Sequence, residues 1–347
     1  DWSSDVCSSD LAIRSDILFR GKLSEMARIL DLVFEGRNDL QAAVVPSGHV
    51  FAKRTAAATL SLPAYRDEQW QGRSQLRFIK ALTDAWDESA EKFVAAMADL
   101  KSRIISRDNL TVNLTADERG LQLLNEAMGQ IIGDLPAVTL TVCDVMLPET
   151  AVRAGIVIPA QVSYVAEAFP APTYGSALAA PLFVLSRLLS NGYLYKKIRV
   201  QGGAYGGMCQ YEATNGLFTF LSYRDPHLER TLAVYEEAFR LSAAGSLATE
   251  EIQKAIIGAI GALDRPMDPV SRGFASMIRH FSGLTDPERE KFRRAILSMD
   301  EKRLMEEAFS YLAGVKEKAS VAVYAEGEKM HQANKTLRPP LVIEPLT

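Results

Sequence analysis

Histidine and cysteine are scarce in this chain, at 4 and 3 of 347 residues. A zinc centre of the peptidase type needs ligands held together, usually two histidines one helical turn apart plus a carboxylate. His49, His227, His280 and His331 stand far apart, and neither HxxEH nor HExxH occurs, so no metal ligand is assigned here. His280, in an apolar helical stretch, reads as structural; His227 reads as a surface residue near a helix start. The cysteines share no short spacing, which excludes a disulfide framework; Cys143 and Cys209 read as buried free thiols in a reducing compartment. No stretch approaches the ~20 apolar residues of a membrane span. No cationic segment followed by an apolar one marks a secretory signal. A phosphate loop and a G-x-S-x-G nucleophile elbow are also missing.

Charge of one sign is missing as well. The formal net charge is −4. Residues 1–11, DWSSDVCSSDL, resemble a translated sequencing adapter and lack periodicity. Setting aside their three aspartates takes the net charge to −1, which leaves no electrostatic case for nucleic acid or an anionic membrane. The adapter reading makes the natural protein longer at its amino-terminal side.

What is present is a mixed helix and strand pattern. Residues 24–35, 75–86, 90–105 and 117–132 carry apolar side chains at helical spacing. Gly36 to Asn38 can stop the first of them, and Pro46-Ser47-Gly48-His49 reads as a turn. Residues 109–115 alternate as a half-buried strand does. Further on, residues 161–169 read as a strand and 174–190 as a buried helix. Residues 199–211 and 217–223 read as paired strands around the Asn215-Gly216 turn. Helices follow at 228–244, at 249–263 with Thr249 as N-cap, from about 272, from 286 and over 300–312, and a strand at 320–324. Helix, strand, acidic turn and helix occur at 93–132 and again at 304–335, offset by roughly 210 residues, the mark of a duplicated module. The expected class is α+β: two related modules, each a mostly antiparallel sheet packed by helices, the first truncated. The expected boundaries are an artefact at 1–11, an incomplete module with a preceding helical region at 12–140, a linker at 141–159, a complete module at 160–340 and a tail at 341–347.

The most unusual stretch is Gly202-Gly203-Ala204-Tyr205-Gly206-Gly207. One reading is a glycine-bent strand or bulge. The other is a bare edge that lets another backbone approach. Arg199 and Tyr205 flank it, and a fixed cation beside a phenol suits a peptide carbonyl or a developing oxyanion. Cys209, without a base nearby in sequence, reads as inert. Asp225 reads as a turn or cap residue.

Arg199-Val200-Gln201-Gly202-Gly203-Ala204-Tyr205-Gly206, followed by Ser222-Tyr223-Arg224-Asp225-Pro226, resembles the last domain of the presequence proteases, members of the insulinase-like or pitrilysin-type metallopeptidases. Ser47-Gly48-His49 and the pattern through Leu60 and Leu76 to Leu82 resemble the region before it. The resemblance implies four related α+β modules, two per half, closing like a clamshell on a peptide. It implies a zinc cofactor and general base in the amino-terminal half, absent from this chain. Arg199 and Tyr205 are then the catalytic contacts to substrate and transition state, and Gly202 and Gly203 bring the strand close to the peptide. The implied partners are an unstructured peptide, of the targeting-peptide type, and the amino-terminal half of the same enzyme, with no nucleic acid and no membrane. The chain alone is then inactive, and a bacterial cytoplasm is the expected location. The alternative is a non-catalytic subunit or peptide-binding module of a split metallopeptidase.

Overall fold

The computed structural model describes residues 13, 15–133, 135–139, 144–147, 152–241 and 248–347. The segment 1–11, Cys143 and parts of the expected linker 141–159 lie outside the described residues. The chain forms two compact units, each assembled from separated stretches. One takes the chain up to Gly36, Ala81–Asp144 and Pro266–Gly283; the other takes Arg37–Lys80, Val145–Arg265 and Leu284–Thr347. These units do not follow the boundaries 12–140 and 160–340. The reason is that the helical residues Phe51, Ala52, Ala56 and Leu76 are buried in one cluster with the sheet residues Ile156, Tyr164 and Tyr324.

The first unit is helical among the described residues, with helices Trp86–Ile104, Glu118–Gly133 and Pro269–Phe281. Residues 109–115, expected as a strand, are a short 3-10 turn and irregular chain. Leu110 and Val112 stay exposed, so the alternation meets no sheet to bury against. Helix Pro269–Phe281 opens well, since Asp268 caps Ser271 N–H at 2.9 Å and Pro269 needs no donor. Its Val270, Phe274, Ile278 and Phe281 form an exposed apolar stripe. His280 is exposed on this helix and is not the packed residue expected.

The second unit holds one six-stranded sheet, packed by helices on both faces. The strands are β1 (Arg153–Val157), β2 (Tyr164–Pro170), β3 (Gly206–Glu212), β4 (Leu217–Tyr223), β5 (Ser320–Ala325) and β6 (Val342–Pro345), in the order β3-β4-β2-β5-β1-β6. Pairs β3–β4, β4–β2 and β2–β5 are antiparallel, whereas β1 runs parallel to both β5 and β6. All six residues of β5 are buried, as a strand covered on both faces requires. Strand β1 falls in the expected linker and β6 in the expected tail. Each is five residues or fewer, too short to show a period.

Alternate residues of β2 sort the two cores. Tyr164, Ala166 and Ala168 face helix α1 (Gly48–Ala57). Val165 and Phe169 face helices α2 (Ala179–Leu188), α3 (Glu229–Ala238), α4 (Thr249–Leu263) and α5 (Asp286–Leu297). The turn read at residues 46–49 is present up to Ser47, and helix α1, not expected from the sequence, starts directly after it. Gly48 makes its docking possible: a Cβ there would stand 2.3 Å from the Tyr164 ring. Helix Met26–Ala43 also runs through Gly36, since one glycine costs a helix only about 1 kcal/mol. Thr249 does not cap α4; Ala248 holds that position without a side-chain bond. On the second face Phe220 stacks on Tyr235 (5.2 Å, 24°) and meets Phe218 and Phe239 edge-on. The Tyr235 hydroxyl donates to Val165 O at 3.1 Å.

One carboxyl sits among these apolar groups. Glu167 on β2 is pushed up to about 7 by burial, opposed by Arg153 and Lys316 and aided by Glu236. An acid raised above its unfolded value binds a proton preferentially in the folded state. Its contribution to stability is full below the unfolded pKa and is lost as pH rises through about 7. Glu167→Gln should therefore remove about 1–3 kcal/mol of stability loss between pH 5 and pH 8. Urea midpoints of both proteins at the two pH values measure it; parallel profiles would refute it.

Candidate functional site

Helix α2 continues into a twelve-residue π-helix, Leu189–Val200. Leu189, Leu194 and Ile198 keep it buried on one side, so Arg199 lies on a helical last turn and not on the strand expected from 199 onward. The chain then reverses into β3. Gly203 N–H bonds Arg199 O at 3.0 Å and Ala204 N–H bonds Ile198 O at 3.1 Å. Gly203 takes φ +76°, open to glycine at no steric cost. Gly202 is buried, and a Cβ on it would stand 2.4 Å from Ile198 O; at Gly207 a Cβ would meet Ile198 Cβ at 2.7 Å. The need for these two glycines lies in the close packing of the chain on its own residue Ile198. Gly203 is the exposed member of the expected peptide-facing pair.

Arg199 and Tyr205 come together. The Arg199 guanidinium carbon is 6.0 Å from the Tyr205 ring centroid and 5.4 Å from that of Tyr195, within cation–π range. Both side chains are exposed, Tyr205 at 66%. Behind Tyr205 runs a file of rings. Tyr205 meets Tyr223 edge-on at 5.9 Å, and Tyr223 lies 4.7 Å from the ring of His49 on α1. The contacts thus run from the Arg199 guanidinium through the phenol rings of Tyr205 and Tyr223 to the imidazole of His49. His49 sits against the site although its sequence context gives no such sign. Burial, followed by the charge of Lys53, lowers its pKa, and its Nδ1 is buried without a partner among the described residues.

The second half of the motif fixes the backbone under these side chains. Tyr205 N–H faces two acceptors, Tyr223 O at 3.1 Å and Arg224 O at 3.4 Å. Two residues of one strand end thus oppose one of the other, a bulge. Arg224 has φ +48°, in the left-handed region. Asp225 holds it there: Ser163 and Asp225 exchange backbone bonds at 2.7 and 2.9 Å, while the carboxylate accepts from His227 N–H (2.9 Å) and Thr231 Oγ1 (2.6 Å). Burial raises the Asp225 pKa against those hydrogen bonds. The expected turn role of Asp225 is what the geometry gives, in buried form; His227 is exposed as expected. The hairpin also agrees, with Gly216 at φ +65° and Asn215 Nδ2 bonding Glu212 at 2.9 Å. Cys209 is buried and its thiol pushed up by that burial, which suits an inert residue.

Zinc finds no fitting set of ligands among the described residues. Among the described residues no group of three His, Cys, Asp or Glu side chains could hold a metal. Nor is any described helix long and apolar enough to cross a membrane.

Comparisons with known proteins bear on the motif. Residues 153–326 match the family described as PreP C-terminal domain, and residues 8–82 match a second family, a peptidase-associated region. Presequence protease 1, chloroplastic/mitochondrial, of Arabidopsis thaliana is 31% identical over 340 residues, 95% of this chain and 31% of that protein. The mitochondrial presequence protease of Yarrowia lipolytica is 28% identical, covering 82% of this chain and 29% of its own length. The chain therefore spans about a third of these relatives. Among solved structures the fold resembles the periplasmic protease PqqL from Escherichia coli (TM-score 0.63, 15% identity, 98% of this chain and 40% of that chain). Pitrilysin is similar too (TM-score 0.58, 15% identity, 93% and 34%). The expected bacterial cytoplasm does not stand: these presequence proteases similar to the chain are named as chloroplastic or mitochondrial proteins. With half of its residues matching the PreP C-terminal domain, this chain belongs to the presequence protease-like branch of the insulinase family of peptidases.

Proposed function

We propose that this chain is the carboxy-terminal half of a zinc metalloendopeptidase that degrades short unstructured peptides, of the targeting-peptide type. Its working partner is an amino-terminal half of the same enzyme, which holds the zinc and the general base. The chain supplies Arg199 and Tyr205, which contact the peptide backbone and the charge that develops on its scissile carbonyl. Gly203 offers bare backbone beside them, with Gly202 shaping the turn. The observation that carries this reading is the exposed Arg199–Tyr205 pair on the flank of edge strand β3. Toward an anion a guanidinium and a phenol O–H both donate, and donors fixed before the reaction stabilise a developing oxyanion best. The chain on its own is then inactive.

A chimera tests this. The matching third of the Arabidopsis relative is replaced by residues 12–347, and hydrolysis of an unstructured peptide is followed with one equivalent of zinc. The chimera should turn over, and the isolated chain should show neither turnover nor stoichiometric zinc. Peptide hydrolysis by the isolated chain, or a tightly held zinc in it, would overturn the proposal.

A further inference from the structure

The sheet-bearing unit also holds a recess whose lining includes neither Arg199 nor Tyr205. It is a cavity of about 430 Å³ lined by the end of α2, the first turns of the π-helix, Leu241 and the start of α4. Its lining combines apolar and charged residues. Leu188, Leu189, Leu241 and Ala255 are apolar. Arg187 and Lys196 are cationic.

The charges of that wall are unequally met. Lys254 is taken up by Glu250 at 2.7 Å, and the neighbouring Lys197 faces Glu237 at 3.7 Å. Arg187 and Lys196 form no ion pair among the described residues. The Arg187 Nε is buried without an acceptor among them, and its guanidinium carbon lies 5.1 Å from the Phe183 ring. Glu251 is the single acid of the lining, on the same helix turn as Lys254. A cation beside an apolar wall is relieved by an anion that brings its own apolar group.

We propose that this cavity binds a carboxylate with an apolar substituent, of the kind presented by a peptide ending in a free leucine-like residue. The carboxylate bridges Arg187 and Lys196, and the substituent lies on Leu189, Leu241 and Ala255. The site does not depend on the peptidase reading.

N-acetyl-leucine and its amide, titrated into the whole chain, separate charge from shape. Methyl NMR signals of Leu189, Leu241 and Ala255 should shift saturably with the acid. The amide should bind about 10-fold more weakly or worse, because it lacks the charge-assisted bonds. Lys196 is exposed, so Lys196→Gln should leave the melting midpoint unchanged while weakening the acid about 5- to 10-fold. Three results would each overturn the proposal: equal binding of acid and amide, parent-like binding by Lys196→Gln, or no methyl shifts up to about 50 mM acid.

Discussion

Replacing Tyr205 by Phe should slow peptide turnover in the chimera about 10²- to 10³-fold, the loss expected on removal of one oxyanion-type donor. The substitution deletes only a hydroxyl on a side chain that is 66% exposed. The ring's contacts with Arg199 and Tyr223 involve its face and edge, not its oxygen. Folding should therefore be unaffected within about 0.5 kcal/mol, as for surface changes generally. Zinc content should also stay at one equivalent. The drop should appear in kcat rather than KM, because the bond matters most when the carbonyl oxygen carries charge. Turnover equal to that of the parent would remove Tyr205 from the site. Arg199→Lys is not a mild companion change: a planar guanidinium set between the rings of Tyr195 and Tyr205 has no ammonium equivalent.

The largest loss of stability is expected from Phe220→Ala, about 3–5 kcal/mol. Phe220 is 1% exposed and lies among Phe169, Phe218, Tyr235 and Phe239 at centroid distances of 5.2–5.9 Å. Truncation removes the transfer energy of the ring and leaves a cavity between β4 and α3. Neighbouring rings are stiff and already in contact, so the gap closes poorly. Since whole domains are stable by only about 5–15 kcal/mol, a shift of this size should be plain in a urea midpoint at constant m-value. A change below about 1 kcal/mol would mean the aromatic cluster repacks freely.

Helices with long apolar stripes are legible in sequence. Ile252, Ile256, Ile260 and Leu263 announce α4, and Asn215-Gly216 announces the β3–β4 hairpin. The pairing of Arg199 with Tyr205 is legible too, through the motif rather than through periodicity. Short parallel strands are not. β1 and β6 owe their form to partners far along the chain, and neither shows enough residues for a pattern. Helix α1 is hidden by Pro46-Ser47-Gly48, whose turn chemistry is real but serves as the helix entrance. A weaker sign exists in Phe51, Ala52 and Ala56, spaced as one helical face. The approach of His49 to Tyr223 depends on how α1 lies on the sheet, which no local spacing encodes. The strand expected at 109–115 shows the converse: alternation alone does not make a strand where no neighbour pairs with it.

The wide winding of residues 189–200 has an evolutionary consequence. A stretch bonded five residues apart holds more residues per turn than an ordinary helix of 3.6. Losing a residue there would let part of it tighten to the ordinary winding, and each residue of offset swings the downstream chain by about 100° around the axis. The bearing of Arg199 toward Tyr205 is thus a matter of residue count as much as of residue identity, and this segment should tolerate substitutions far better than deletions.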